Sequence, residues 1–340
     1  MSDTVLLDHG SGGLASRKLL EEVIYSRLGN PALAEGGDSA LLAELPPGFR
    51  PAFTTDSYVV DPLFFPGGDI GKLAVHGTIN DLAMAGAQPL ALSLGLILEE
   101  GLELETLARI IDSIGTACRE AGINIVTGDT KVVPRGKADK IFINTSGIGA
   151  VASNCVLSPA RIREGDAVLL SGTLGDHGIT IMTRQAGMEL QGDLQSDTRP
   201  LHRLSAALLK KLGGDVHVMR DPTRGGVATV INELLGGGLA LEVEETALPV
   251  RPQVQAACEL LGLEPLYLAN EGKMLAVVQG ERADEALAVL RSLPEGEEAV
   301  ILGHIHREEK VRTASLILRT FTGGRRMVAP LQGMALPRIC

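Results

Sequence analysis

A chain of 340 residues, 45% apolar and 21% charged, has the length for two or three domains and the composition of a soluble globular protein. A net charge of −11, no basic run and no tryptophan exclude bulk nucleic-acid binding, which relies on a cationic face. No apolar run approaches the ~20 residues of a membrane span, and the start MSDTVLLDHGSGG lacks the cationic and apolar regions of a secretory leader, so the expected compartment is the cytoplasm.

Residues 1–35 read as a Gly-rich loop, then an amphipathic helix with Leu19, Leu20, Val23, Ile24 and Leu28 on its apolar face. From 36 to 155, strands expected at 51–55, 91–98, 123–127 and 140–147 alternate with helices at 70–85 and 103–121. The stretch SNCVLSPARIREGD reads as a linker, with a domain boundary between 155 and 165. A second unit over 165–320 has strand patterns at 167–171, 216–219, 239–243, 273–279, 299–303 and 312–319. Helix patterns fall between them at 179–185, 200–212, 226–235, 253–260 and 283–290. The whole is therefore expected to be α/β with two domains, followed by a Gly/Pro-rich flexible tail over 321–340.

Four cysteines, Cys118, Cys155, Cys258 and Cys340, form no C-x-x-C pair, so zinc-site and redox-motif readings fail on spacing. Cys118 continues the apolar stripe of Leu104, Leu107, Ile111 and Ile114, and Cys258 lies in the helical pattern QVQAACELLGL; both are expected in the core. Cys340 is different. It is the last residue of the sequence, where a thiol can swing between sites while carrying a group, although a free thiol there needs a partner or a cationic pocket to react well.

His9, Gly10, Ser11, Gly12 and Gly13 precede the first helix, and glycines at a helix start let backbone N–H groups approach a phosphate; the spacing fits neither a Walker A loop nor G-x-G-x-x-G, and a flexible turn explains it equally well. More informative is a set of acidic residues at turns and strand ends: Asp38, Asp56, Asp81 after Asn80, and Asp129 before Lys131. Thr78 and Gly77, one turn before Asp81, are small enough to admit a ligand. One such aspartate is usually a turn or cap former. Four in one domain point to a site for Mg²⁺ and a nucleotide, since Mg²⁺ takes oxygen ligands and bridges phosphates.

These segments together (LDHGSGG, GDSA, TTDSYVVDPLFFPGGDIGKLAVHGTINDLAMAGAQP, TGDTKVV, RDPTRGG, NEGK and the final PRIC) resemble the HypE family of hydrogenase maturation factors. That family sits in the PurM-like ATP-binding superfamily, with selenophosphate synthetase and thiamine-monophosphate kinase. The resemblance runs from about residue 7 to the end and implies a PurM-like two-domain fold and a homodimer. It also implies an ATP-dependent dehydratase acting on its own Cys340. HypF would place a carbamoyl group on the thiol, this protein would convert the S-carboxamide to an S-cyanide, and the cyanide would pass to iron on a HypC–HypD complex. In that reading Asp38, Asp56, Asp81 and Asp129, with Asn80, hold Mg²⁺ and ATP, and Gly12 and Gly13 contact phosphate. Glu271 is the base at the amide nitrogen and Lys131 balances charge or tunes Glu271, with Cys340 expected near both; otherwise Glu271 and Lys131 are an exposed loop pair.

Three features carry no assigned role: His304 and His306, which alternate at a strand end and could face one metal but read as surface residues; the turn from Asp221 to Gly226, which could touch phosphate or equally cap a helix; and Asp176 with His177, which read as another helix cap. The rival functions are a superfamily kinase or synthetase for a diffusible substrate, which has no use for a terminal thiol, and a non-catalytic carrier that merely presents Cys340.

Overall fold

The computed structural model describes residues 3–34, 39–188, 192–308, 315–332 and 338–340. The N-terminal helix starts as α1 (Leu14–Leu19), widens into a π-helical stretch over Leu20–Tyr25 and ends as α2 (Ser26–Leu28), followed by α3 (Pro31–Ala34). The strands of the first unit are β1 (Phe49–Tyr58), the short hairpin β2 (Phe64–Phe65) and β3 (Gly68–Asp69), β4 (Ala87–Glu99), β5 (Asn124–Val133) and β6 (Ile141–Ala152). Four of them form a sheet in the order β1-β6-β4-β5, so the strands bearing Asp56 and Asp129 are its two opposite edges.

Period-two alternation decides what this sheet buries. Leu94, Leu96 and Leu98 of β4 and Ile141 and Ile143 of β6 point inward onto α4 (Ile70–Met84) and α5 (Leu104–Ala121). The opposite face carries Phe53 and Ile97, 69% and 43% exposed, and among the described residues no helix packs over them.

Helix α4 begins at Asp69, whose carboxylate accepts from the Gly71 and Lys72 amides at 2.7 and 3.0 Å. It is apolar nearly all round because it is enclosed nearly all round. Its flanks meet the first sheet and α5, while Ala83 and Met84 enter the second unit's core beside Leu201, Leu204 and Leu208. α5 shows the contrasting pattern, a one-sided stripe with Cys118 buried in it, closed by Gly122 in the left-handed conformation (φ 72°).

The second unit comprises β7 (Ala167–Leu170), α6 (Asp176–Gln185), α7 (His202–Leu212), β8 (Val216–Arg220), α8 (Gly226–Leu234) and β9 (Leu239–Glu244). After these come α9 (Pro252–Leu261), β10 (Leu275–Val278), α10 (Ala283–Arg291), β11 (Val300–Arg307), β12 (Leu316–Arg319) and β13 (Arg325–Val328). Its sheet has the order β13-β12-β9-β11-β7-β10-β8, mostly antiparallel with one parallel pair, β9 and β12. Cys258 is buried on α9, as its helical pattern requires.

The segment expected as a flexible tail from 321 is structured where it begins and docked where it ends. β13 pairs with β12 from Arg325 to Val328, so the sheet continues into it. At the other end, Ile339 is 5% exposed in the core of the first unit. Among the described residues, no helix is long and apolar enough to cross a membrane.

Candidate active site around Cys340

The last three residues are held by both units. Val59 donates its amide to the Cys340 carbonyl at 3.2 Å and Asp61 to that of Arg338 at 3.3 Å, so the end of the chain runs alongside the continuation of β1. Arg338 returns Nε to the Val59 carbonyl at 2.8 Å and ion-pairs with Asp139. From α6, His177 Nε2 meets the Ile339 carbonyl at 2.8 Å and Gln185 reaches that of Arg338 at 3.3 Å.

So placed, Cys340 lines a cavity of about 330 Å³ together with Asp56, Asp81, Asp221, Arg224 and Glu271. Glu271 stands in the loop before β10, which lies close against its neighbour: a Cβ at Gly272 would come within 1.8 Å of the Asp197 carbonyl oxygen, so only glycine fits there. The Glu271 amide donates to Asp197 Oδ1 at 3.1 Å, and Asp197 is charge-paired with buried Lys273 at 3.3 Å. The carboxyl itself is 4% exposed, and its Oε1 is buried without a hydrogen-bond partner.

Burial first, then the carboxylates of Asp221, Asp197 and Asp56, push the Glu271 carboxyl well above the usual range. Asp81 is raised by burial, against the hydrogen bond from Thr54 at 2.7 Å, and Asp221 is raised to about 6 by burial and by Asp81. The Cys340 thiol is pushed up to about 12 by burial and by Glu271, although the Arg224 guanidinium lies within hydrogen-bond reach and also pairs with Asp56 at 3.3 Å. The cavity is therefore rich in carboxyl groups and short of cations, and it holds a neutral thiol beside a glutamic acid whose ionisation is strongly disfavoured.

A second cavity, about 370 Å³, lies at the other edge of the sheet between the N-terminal loop and β5; Gly12, Asp129 and Lys131 line it with Ser16 and Thr127. Lys131 and Asp129 are exposed and paired at 2.9 Å. Gly12 needs its freedom, with φ 81°, but its amide donates to Ser16 Oγ at 2.9 Å and must leave that bond to meet a phosphate. Gly13 caps α1 and is not among the residues lining the cavity.

Several expectations require correction. Asn80 is no ligand: it is 1% exposed, its amide nitrogen donates to the carbonyls of Arg199 and Glu271, both at 3.1 Å, and its oxygen accepts from the Leu201 amide at 2.8 Å. It anchors the Glu271 loop instead. Gly77 does line the Cys340 cavity, where an added Cβ would stand 2.2 Å from the Tyr58 hydroxyl, whereas Thr78 is buried against Thr145 at 2.5 Å. Within one chain Lys131 is not beside Glu271 and Cys340, and Asp129 is not beside Asp56 and Asp81, because β5 and β1 are opposite edges. Among the described residues, no group of three or more His, Cys, Asp or Glu side chains is poised to hold a metal ion, and His304 and His306 form none. Asp38 lies outside the described residues.

Asp197, Lys273, Arg224 and His177 belong to this site and carried no assignment from the sequence. The NEGK and RDPTRGG segments were the signal for Lys273 and Arg224; nothing in the sequence links His177 to a carbonyl 162 positions away.

Comparison with known proteins decides the family. The AIR synthase related protein models match this chain over residues 36–151 for the N-terminal domain and 163–316 for the C-terminal domain. Carbamoyl dehydratase HypE of Azotobacter vinelandii is 50% identical over 338 residues, 99% of this chain and 97% of that protein. The chain belongs to the HypE family of carbamoyl dehydratases. It is thus an enzyme of hydrogenase maturation with the PurM-like two-domain fold. A crystal structure of hydrogenase maturation protein HypE in complex with ATP superposes with a TM-score of 0.93 at 49% identity, covering 99% of this chain and 100% of that one. A HypE–HypF complex gives a TM-score of 0.78 at 43% identity, covering 92% of this chain and 99% of that one.

Proposed function

We propose that the protein dehydrates an S-carboxamide carried on Cys340 to an S-cyanide, consuming ATP. The observation that carries this reading is the position of the Cys340 thiol in one cavity with the unpartnered Oε1 of Glu271. Losing water from a primary amide is slow because its oxygen leaves badly. ATP supplies the remedy: transfer of its terminal phosphoryl to that oxygen makes phosphate the leaving group. Overall, R–S–C(O)NH₂ and ATP give R–S–C≡N, ADP and phosphate.

Glu271 then takes the N–H protons, with Oε1 as receiving atom. Its raised pKa makes it a stronger base once ionised, nearer the range a general base needs at neutral pH. Arg224, already in reach of the Cys340 side chain, is placed to face the charge that develops on the departing oxygen. Docking buries the reacting group away from water. A neutral carbamoyl group also costs less to bury there than a thiolate.

Mg²⁺ fits this chemistry. Asp81 and Asp221 are raised partly by neighbouring carboxylates, a mutual repulsion that a cation would relieve. Mg²⁺ commonly takes one or two carboxylates, with waters and phosphate oxygens completing six. Asp56, Asp81 and Asp129 are the described candidates, and the ion would neutralise phosphate charge.

The two cavities call for a homodimer. The uncovered face with Phe53 and Ile97, flanked by the free edges β1 and β5, fits a second copy that brings the Lys131 cavity of one subunit to the Glu271 cavity of the other. HypF, seen with a relative in complex, is the proposed carbamoyl donor. A HypC–HypD complex is the proposed acceptor of the cyanide, and the cytoplasm the proposed compartment. Loading, dehydration and delivery require the tail to leave its docked position and return.

The test is phosphate release from ATP by free and by carbamoylated protein. Release that depends on the carbamoyl group supports the reading. Equal release from both, or none from either, contradicts it, and the latter outcome favours a carrier.

A further inference from the structure

His177 is completely buried, yet both ring nitrogens are engaged. A carbonyl oxygen can only accept, so the 2.8 Å contact to Ile339 requires the proton on Nε2. Nδ1 must then accept, and its partner at 2.8 Å is Ser196 Oγ, a hydroxyl that can donate because it receives the Thr198 amide at 3.2 Å on its own lone pair. Burial keeps the ring neutral, in agreement with one proton on two nitrogens. Phe65 packs edge-on against it at 5.7 Å, which fixes the ring plane. The ring is thus set in one tautomer and one orientation by residues outside the tail, with its single donor aimed at the tail backbone one residue before the thiol.

We propose that His177 is a positioning residue: its Nε2–H grips the Ile339 carbonyl and so sets how firmly Cys340 is docked against Glu271. Departure of the tail strands that N–H in the protein interior, which biases the equilibrium toward the docked state. Because the grip is on a backbone carbonyl, it is indifferent to what the thiol carries, and bare and carbamoylated tails are held alike. The reaction sequence rests on the proposed function, but the docking itself does not.

The experiment compares His177→Leu, which fills the space and donates nothing, with His177→Gln, which keeps an N–H donor. Alkylation of Cys340 by a neutral reagent reports undocking, and half-buried Cys155 in the same molecule serves as reference. Loss of one buried hydrogen bond should speed Cys340 alkylation roughly tenfold in the Leu variant. Cys155 should be unchanged and the Gln variant near the parent rate. In a single turnover of pre-carbamoylated protein, the Leu variant should dehydrate more slowly while loading by the carbamoyl donor is unchanged or faster. Unchanged Cys340 alkylation in the Leu variant overturns the proposal, as does an equal increase in both variants or at both cysteines. Should the Leu variant fail to fold, the thermal midpoint shift of His177→Met, which also donates nothing, is compared in the full chain and in a chain lacking residues 338–340; an equal shift in both overturns the proposal, and a larger fall in the full chain supports it. If the carbamoylated parent protein does not dehydrate, the functional reading fails while the alkylation result still decides the role of His177.

Discussion

Burial and the carboxylates of Asp221, Asp197 and Asp56 keep Glu271 protonated where a free glutamate is ionised. A carboxyl whose folded pKa is raised binds its proton more tightly in the native state. Its stabilising contribution is present below the unfolded value and is lost as pH rises through the folded value. For Asp221 that window runs from 3.8 to about 6. Asp221→Asn should therefore raise stability at pH 7 by on the order of 1–3 kcal/mol, with the gain vanishing below the lower bound; urea melts across that range would show no pH-dependent difference if the carboxyl were not strained. Glu271→Gln should likewise stabilise the fold while stopping cyanide formation, with ATP still bound. Normal turnover in this variant would exclude Glu271 as the base. These residues illustrate what a sequence hides. NEGK named Glu271, but its raised pKa comes from burial, then from side chains at 221, 197 and 56, which only the folded chain brings about.

Helix α4 and the Glu271 loop form one mechanical unit through Asn80. Asn80→Ala strands an amide and two carbonyls in the interior, at a cost of roughly 2–4 kcal/mol. Nucleotide affinity should stay the same, since no Asn80 atom is left over for a ligand; a large loss of affinity without destabilisation would reinstate it as a ligand. The elements themselves were legible. The helix expected at 103–121 is α5 because its apolar stripe repeats with the helical period, and that at 70–85 is α4 because it is long, apolar and stopped by the glycine of AGAQP. β13 was not legible because the Gly and Pro content of the final segment describes local freedom, whereas β13 and Ile339 are held by partners far off in sequence. The docked tail is also finely balanced. Ordering three backbone residues costs about 3–6 kcal/mol. Burying Ile339 returns roughly 1.5–3 kcal/mol, and a handful of hydrogen bonds at about 1 kcal/mol each closes most of the rest. An element so poised can exchange between sites.

For the molecule as a whole, the question is why the residues expected to act together lie at opposite edges of one sheet. The proposed dimer would join those edges, and mixing variants tests it. Lys131→Ala and Glu271→Gln homodimers should each be inactive, but heterodimers contain one intact composite site. Product should then appear only on the Lys131→Ala subunits, identified by mass, after the two proteins are unfolded together and refolded. No recovery on mixing means each site is built within one chain. Phe53→Glu should favour the monomer in sedimentation, since it sets a charge on the exposed apolar face.

Cys340 as the site of dehydration is tested most directly by intact mass spectrometry of the carbamoylated protein before and after ATP, followed by peptide mapping. The expected result is loss of the mass of one water, located on the peptide that ends at Cys340 and absent from Cys340→Ala. A carbamoyl group that persists on Cys340 while ATP is consumed would contradict this, as would a change that maps to Cys118, Cys155 or Cys258.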